Sequence, residues 1–275
     1  MGRPIQHVDV FTSEPYGGNP VAVVLDSSGL TTEEMQRFAA WMDFSETTFV
    51  GAPTDPGADY AVRIFTPSVE LPFAGHLTLG TAHAWQSSGG VPAGEVIVQE
   101  CGVGLVEIRR TESGLAFAAP PLVRSGPADD ALIEELAVIL GVDRDGIVAA
   151  EWVDNGPPWV AVLLDRAESV LSLRPGDAGE RYVGVVGPYP PGSPCAIEVR
   201  GFFPKGGATA EDPVTGSLNA SLAQWLLGTG RLKAPYVAAQ GAALGRSGRV
   251  HVTVADGAIW VGGGTATRVA GSVEL

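Results

Sequence analysis

The chain repeats itself at a distance the size of a domain. Val21-Ala22-Val23-Val24-Leu25-Asp26 returns as Val160-Ala161-Val162-Leu163-Leu164-Asp165, an offset of 139 residues. Val62-Arg63-Ile64-Phe65-Thr66-Pro67 returns as Val199-Arg200-Gly201-Phe202-Phe203-Pro204 at an offset of 137, and Gly75-His76-Leu77 as Gly216-Ser217-Leu218 at 141. Three matches in the same order at nearly one offset are hard to produce by chance. Repeat periods of roughly 20–50 residues build solenoids; a period near 139 means two domain-sized copies.

Each copy reads as strands leading into a helix. Val21–Leu25 and Val160–Leu164 are short apolar runs, largely β-branched and bounded by Gly, Pro and Asp, the pattern of buried strands. Val62–Phe65 and Val199–Phe202 are strands ended near proline. Gly75–Gln86 and Gly216–Leu227 read as helices that stop at glycines. Both are apolar or small around their whole circumference, so each is expected inside a curved sheet. Thr31–Met42 reads as an amphipathic surface helix, with Asp129–Leu140 as its counterpart. Ala119-Pro120-Pro121 interrupts the periodicity, which sets expected domains at 1–120 and 121–267. The final strand-like stretch, 268–275, has no partner of its own in sequence, and returning to the first domain is one use open to it.

Composition narrows the function. Hydrophobic residues make up 45% and charged ones 17%, the profile of a folded globular chain. With 17 basic against 31 acidic residues the formal net charge is −14, which gives no electrostatic reason to bind nucleic acid or anionic lipid. No secretory signal is visible at Met1–Phe11, and no apolar run approaches the roughly 20 residues of a membrane helix; a soluble, cytoplasmic protein is expected. Cys101 and Cys195 form no C-x-x-C pair, and His7, His76, His83 and His251 have no metal-ligand spacing. The glycines match neither a dinucleotide fingerprint nor a phosphate loop. Nothing in the sequence asks for a metal or other cofactor.

The two expected central helices point to the chemistry. A helix start offers unpaired backbone N–H groups and a partial positive charge, which suit a carboxylate or phosphate. Phe73-Ala74-Gly75-His76 opens the first and Glu211-Asp212-Pro213-Val214-Thr215-Gly216-Ser217 the second, although glycine, serine and Asp-Pro are also ordinary caps and turns. Glu46 lies in Phe44-Ser45-Glu46-Thr47-Thr48-Phe49, where a buried carboxylate would need a role or a partner. Desolvation would make it a better base; a capping glutamate on the surface is the other reading.

Taken together, Asn19-Pro20, Ser45-Glu46-Thr47, Phe65-Thr66-Pro67 with Glu70, Gly75-His76-Leu77-Thr78-Leu79-Gly80 and Glu211–Ser217 resemble the phenazine-biosynthesis isomerase (PhzF-like) family, whose fold is shared with diaminopimelate epimerase. The resemblance implies an α+β fold of two pseudo-symmetric domains, each a barrel-like sheet wrapped around a central helix, with the active site between them. It implies that Glu46 is the proton-transferring carboxylate, with His76 and Asp212 as assisting acid/base residues. Ser217 and Thr78 would bind substrate, and Gly75 and Gly216 would present backbone N–H groups to its carboxylate. The implied activity is a cofactor-independent, metal-free proton shift on a small cyclic carboxylate, similar to trans-2,3-dihydro-3-hydroxyanthranilate isomerase, carried out by a homodimer. A racemase or epimerase of an amino-acid-like acid, and a non-catalytic binding homologue, are the alternatives. Relatives of the epimerase branch use paired cysteines; Cys101 and Cys195 do not occupy those positions. Leu77 and Leu218-Asn219 depart from the family's G-H-A-T-L-G and T-G-S-A-H and are expected to bear on substrate choice.

Overall fold

A computed structural model describes residues 2–275. The chain divides into two compact units, one comprising the chain up to Ala118 together with Gly262–Leu275, the other Ala119–Val261. The first unit contains β1 (Arg3–Val10), β2 (Asn19–Val24), α1 (Thr32–Met42), β3 (Thr47–Gly51), β4 (Tyr60–Phe65), β5 (Glu70–Leu71), α2 (Gly75–Ser87), β6 (Ile97–Cys101), β7 (Gly104–Thr111) and β8 (Gly114–Ala118). The second contains β9 (Arg124–Pro127), α3 (Asp130–Leu140), β10 (Ile147–Asp154), β11 (Trp159–Leu164), α4 (Ala167–Ser172), β12 (Tyr182–Pro188), β13 (Ile197–Lys205), β14 (Ala208–Asp212), α5 (Gly216–Gly228), β15 (Tyr236–Gln240) and β16 (Gly248–Ala255). β17 (Ala258–Gly263) runs over the boundary, and β18 (Thr265–Val273) lies in the first unit.

The strand connections repeat. β1 pairs antiparallel with β2, β2 parallel with β3, β3 antiparallel with β4, and β4 both antiparallel with β5 and parallel with β6. β10 to β15 reproduce that sequence of pairings. β18 lies antiparallel on β1, as β9 does on β10. In the first unit α2 packs against β1, β2, β3, β6, β7, β8 and β18, so the sheet curls round it. Leu77, Leu79, Ala82 and Ala84 on this helix are fully buried, each large one contributing about 1.5–3 kcal/mol by removal from water. In the second unit Leu218 of α5 presses so closely on β12 that a Cβ at Gly184 would stand 2.3 Å from its Cδ1.

One expectation needs correction. By connectivity the counterpart of α1, which links the parallel strands β2 and β3, is α4 between β11 and β12, not α3. Six residues are too few to display a helical period, so α4 left no trace in the pattern. α3 nevertheless does the packing that α1 does. Leu132, Leu136, Ile139 and Leu140 cover Val160, Val162, Val183 and Val185, much as Met35, Phe38 and Ala39 cover Ala22, Val24 and Phe49.

Candidate active site

In the first unit, α1 ends on Asp43 in a left-handed conformation (φ 52°), and the following turn leads Glu46 into β3. Glu46 Oε2 stands 3.4 Å from Nε2 of His76, the second residue of α2, with side-chain exposures of 17% and 7%. Burial drives the His76 pKa down to about 3, so the imidazole is neutral near pH 7 and the contact is not an ion pair. Gly75 begins the helix and is buried beside it. Thr78 takes a different place from the one expected of a substrate contact. It has no exposed surface, its hydroxyl donates to Ala74 O (3.1 Å) and accepts from Gln99 Nε2 (3.2 Å), and Gln99 in turn accepts from Tyr60 OH (3.0 Å). Thr78 therefore braces the helix start from behind.

In the second unit, Asp212 closes β14 and is 9% exposed. Its carbonyl accepts from Gln240 Nε2 at 3.2 Å. Gly216 is the first residue of α5 and Ser217 the second. Ser217 Oγ accepts from Trp159 Nε1 (3.1 Å), and its carbonyl from Asn155 Nδ2 (3.0 Å). An indole N–H can only donate, so the Ser217 hydroxyl proton is left to point at another acceptor.

The four long helices fall into two kinds. α1 opens with a capping box in which Glu34 N donates to Thr31 Oγ1 (3.2 Å) and Thr31 N to Glu34 Oε2 (2.8 Å). α3 is capped by Asp129, which accepts from Leu132 N at 2.8 Å. The central helices α2 and α5 have no side-chain cap and no acidic residue in the first turn. Their starting N–H groups and positive dipole ends suit an external anion.

The remaining candidates resolve as structure. Leu77, Leu218 and Asn219 are buried, and Asn219 Nδ2 donates to Thr215 O (2.9 Å) and Gln240 Oε1 (2.8 Å). Cys101 and Cys195 are free thiols whose pKa values burial pushes up, which makes both poor thiolates. A cavity of about 490 Å³ between β4, β5 and the β6–β7 turn is lined by Arg63, Glu70, Glu100 and Cys101 and by none of the expected site residues. Among the described residues no helix is long and apolar enough to cross a membrane.

The sequence profile described as phenazine biosynthesis-like protein matches residues 8–273. The chain belongs to that family. Over 244 residues it is 34% identical to trans-2,3-dihydro-3-hydroxyanthranilate isomerase of Pseudomonas fluorescens, covering 87% of this chain and 86% of that protein. It is 38% identical over 179 residues to antisense-enhancing sequence 1 of Schizosaccharomyces pombe, 62% of this chain and 60% of the relative's length. The crystal structure of a PhzF-family phenazine biosynthesis protein from Bacillus anthracis superposes over all of both chains with a TM-score of 0.84 at 24% identity. A hydroxyproline epimerase from Agrobacterium vitis shares the fold at a TM-score of 0.58 and 12% identity, over 98% of this chain and 92% of that one. The phenazine biosynthesis-like fold is thus the α+β, epimerase-like one, and the enzyme class is isomerase.

Gln99 with Tyr60 behind it, and Gln240, Asn155 and Trp159, hydrogen-bond around the starts of α2 and α5, and no motif singles them out. The two glutamines had a signal. They are separated by 141 residues, the offset that relates Gly75 to Gly216.

Proposed function

We propose that this protein catalyses a metal- and cofactor-independent proton shift on a small cyclic carboxylate, of the kind named for its trans-2,3-dihydro-3-hydroxyanthranilate isomerase relatives. The observation that supports it most is the Glu46 carboxylate beside a neutral His76 at an uncapped helix start. A protonated imidazole would hold the carboxylate in an ion pair. A neutral one leaves it able to take a proton from carbon, and can itself hydrogen-bond a polar group of the substrate.

In this reading Glu46 removes a C–H proton and returns it at another carbon on the same face of the ring. The electron pair released at the first carbon is delocalised toward the substrate's unsaturated system until the second carbon is protonated. Gly216 and Ser217 take the substrate carboxylate, with the Ser217 hydroxyl oriented as a donor by Trp159. Gly75 offers a further backbone N–H, and His76 and Asp212 hold or polarise the remaining polar groups. General acid–base transfer of this kind supplies about 10²–10⁴-fold, with positioning and charge stabilisation adding to it.

The test is deuterium uptake from D₂O, followed by mass spectrometry with trans-2,3-dihydro-3-hydroxyanthranilate and a panel of cyclic amino and hydroxy acids. Glu46→Gln keeps the shape and should slow exchange at carbon by at least about 10²-fold. Exchange at the parental rate in that variant would remove Glu46 from the role. Deuterium delivered with inversion at one carbon, instead of to a second carbon on one face, would assign an epimerase.

A further inference from the structure

Gln240 is buried at the end of β15 and all four hydrogen-bonding positions of its amide are filled. Oε1 accepts from Thr215 N (3.0 Å) and Asn219 Nδ2 (2.8 Å); Nε2 donates to Asp212 O (3.2 Å) and Thr215 Oγ1 (2.9 Å). A carbonyl oxygen can only accept, so the contact with Asp212 O fixes which end of the amide is nitrogen.

Thr215 is the N-cap residue of α5 and has the extended backbone of one (φ −104°, ψ 104°). A threonine there ordinarily turns its hydroxyl oxygen onto the N–H of the second or third helical residue, here Ser217 or Leu218. In this protein it does not cap the helix. Its oxygen instead receives the Gln240 amide and lies over Gly201, where a Cβ would come within 2.9 Å of it. The position has a capping side chain, and the surrounding side chains hold it away from the cap. In the first unit the same result needs no such device, because the N-cap of α2 is Ala74, which has no hydroxyl.

We propose that Gln240 is a positioning residue that keeps the Thr215 hydroxyl off the start of α5, leaving the first-turn N–H groups open to an anionic substrate while tying Thr215 at the N-cap to Asp212. The consequence for ligand binding rests on the functional reading above; the effect on the helix start does not.

The test combines Gln240→Met, which keeps the length of the side chain, with Thr215→Ala, singly and together. Without ligand, the Ser217 and Leu218 amides should exchange with solvent at least about fivefold more slowly in Gln240→Met than in the parent, as the freed hydroxyl caps them. They should return to the Thr215→Ala rate in the double variant. Benzoate, titrated by NMR shifts, should bind Gln240→Met about fivefold or more weakly and recover in the double variant to within about twofold of Thr215→Ala. A merely structural glutamine would show no rescue, and unchanged or faster Ser217 and Leu218 exchange in Gln240→Met overturns the proposal. Absence of benzoate binding and of carbon-bound proton exchange in the parent would strike the functional reading alone, since the amide rates still decide Gln240. If Gln240→Met does not fold, the parent decides. Ser217 and Leu218 amides should exchange at least about fivefold faster than Leu132 in capped α3, and protection equal to that of Leu132 overturns the proposal.

Discussion

The two units carry the same ion pair in two environments. In the first, Arg63 Nε and Nη2 meet Glu70 Oε1 and Oε2 at 2.7 and 2.6 Å, with side-chain exposures of 37% and 39%. In the second, Arg200 meets Glu211 in the same fork at 2.9 and 2.8 Å, with exposures of 5% and 11%. Each guanidinium also lies about 5 Å from the centre of a phenylalanine ring, 5.1 Å for Phe65 and 5.0 Å for Phe202. The difference lies in what covers them. The spare Nη1 of Arg200 donates to the Val170 and Leu173 carbonyls at the end of α4, whereas Arg63 reaches only the Thr32 hydroxyl on α1. A duplicated pair is a surface decoration in one copy and a sealed element in the other.

That contrast breaks most visibly on truncation. Arg200→Met leaves the Glu211 carboxylate buried and uncompensated and should cost about 3–5 kcal/mol in chemical denaturation. Arg63→Met should cost about 0–1 kcal/mol, because solvent screens the exposed partner. Equal losses would show that burial does not separate the copies.

A second contrast sharpens with pH. His76 in the first unit has its pKa lowered to about 3, so the unfolded chain binds its proton first as the solution is acidified. Its contribution is present above the unfolded value near 6.5 and is lost as the pH falls toward 3. Glu198 in the second unit is buried on β13, accepts from Tyr189 OH (2.8 Å), and has its pKa raised by desolvation to about 7. Its folded form holds a proton that the unfolded form has lost, so it destabilises progressively as the pH rises from about 4.5 to 7. Glu198→Gln should therefore stabilise the protein at pH 8 by about 1–3 kcal/mol and do little at pH 4. His76→Asn should flatten the acid limb of the stability curve. A pH-independent gain in Glu198→Gln would show that its ionisation is not the cause.

The smallest effects separate capped from uncapped helices. Thr31→Ala removes the α1 capping box and should cost about 1 kcal/mol with proton exchange at carbon untouched. Ala74→Asp supplies α2 with the cap it lacks; it should stabilise the fold by up to about 1 kcal/mol and slow carbon exchange by about tenfold or more, since a resident carboxylate competes for the same N–H groups. Unimpaired exchange in Ala74→Asp would remove the α2 start from the substrate's contacts.

The repeat made the outline readable because strand and helix periods survive duplication. Its drift in offset from 137 to 141 has a local cause. Arg63 and Glu70 are seven residues apart, Arg200 and Glu211 eleven, and the four extra residues lengthen the β13–β14 hairpin. That hairpin turns on Gly206 and Gly207, both at positive φ (63° and 80°), which suits a two-residue hairpin turn. α4 is shorter than two helical turns and leaves no period to read, and a motif names Thr78 without saying which way its hydroxyl faces.

The amino-acid sequence alone determined the duplication, the two apolar central helices, and the membership of Glu46, His76, Asp212 and Ser217 in a recognisable pattern, since these follow from residue type and spacing along one dimension. Only the tertiary structure decided that His76 is neutral, that one Arg–Glu pair is sealed and the other wet, and that Gln240 holds Thr215 away from its helix. Those properties depend on which groups from distant parts of the chain exclude water from one another, and burial of that kind is a fact of three dimensions.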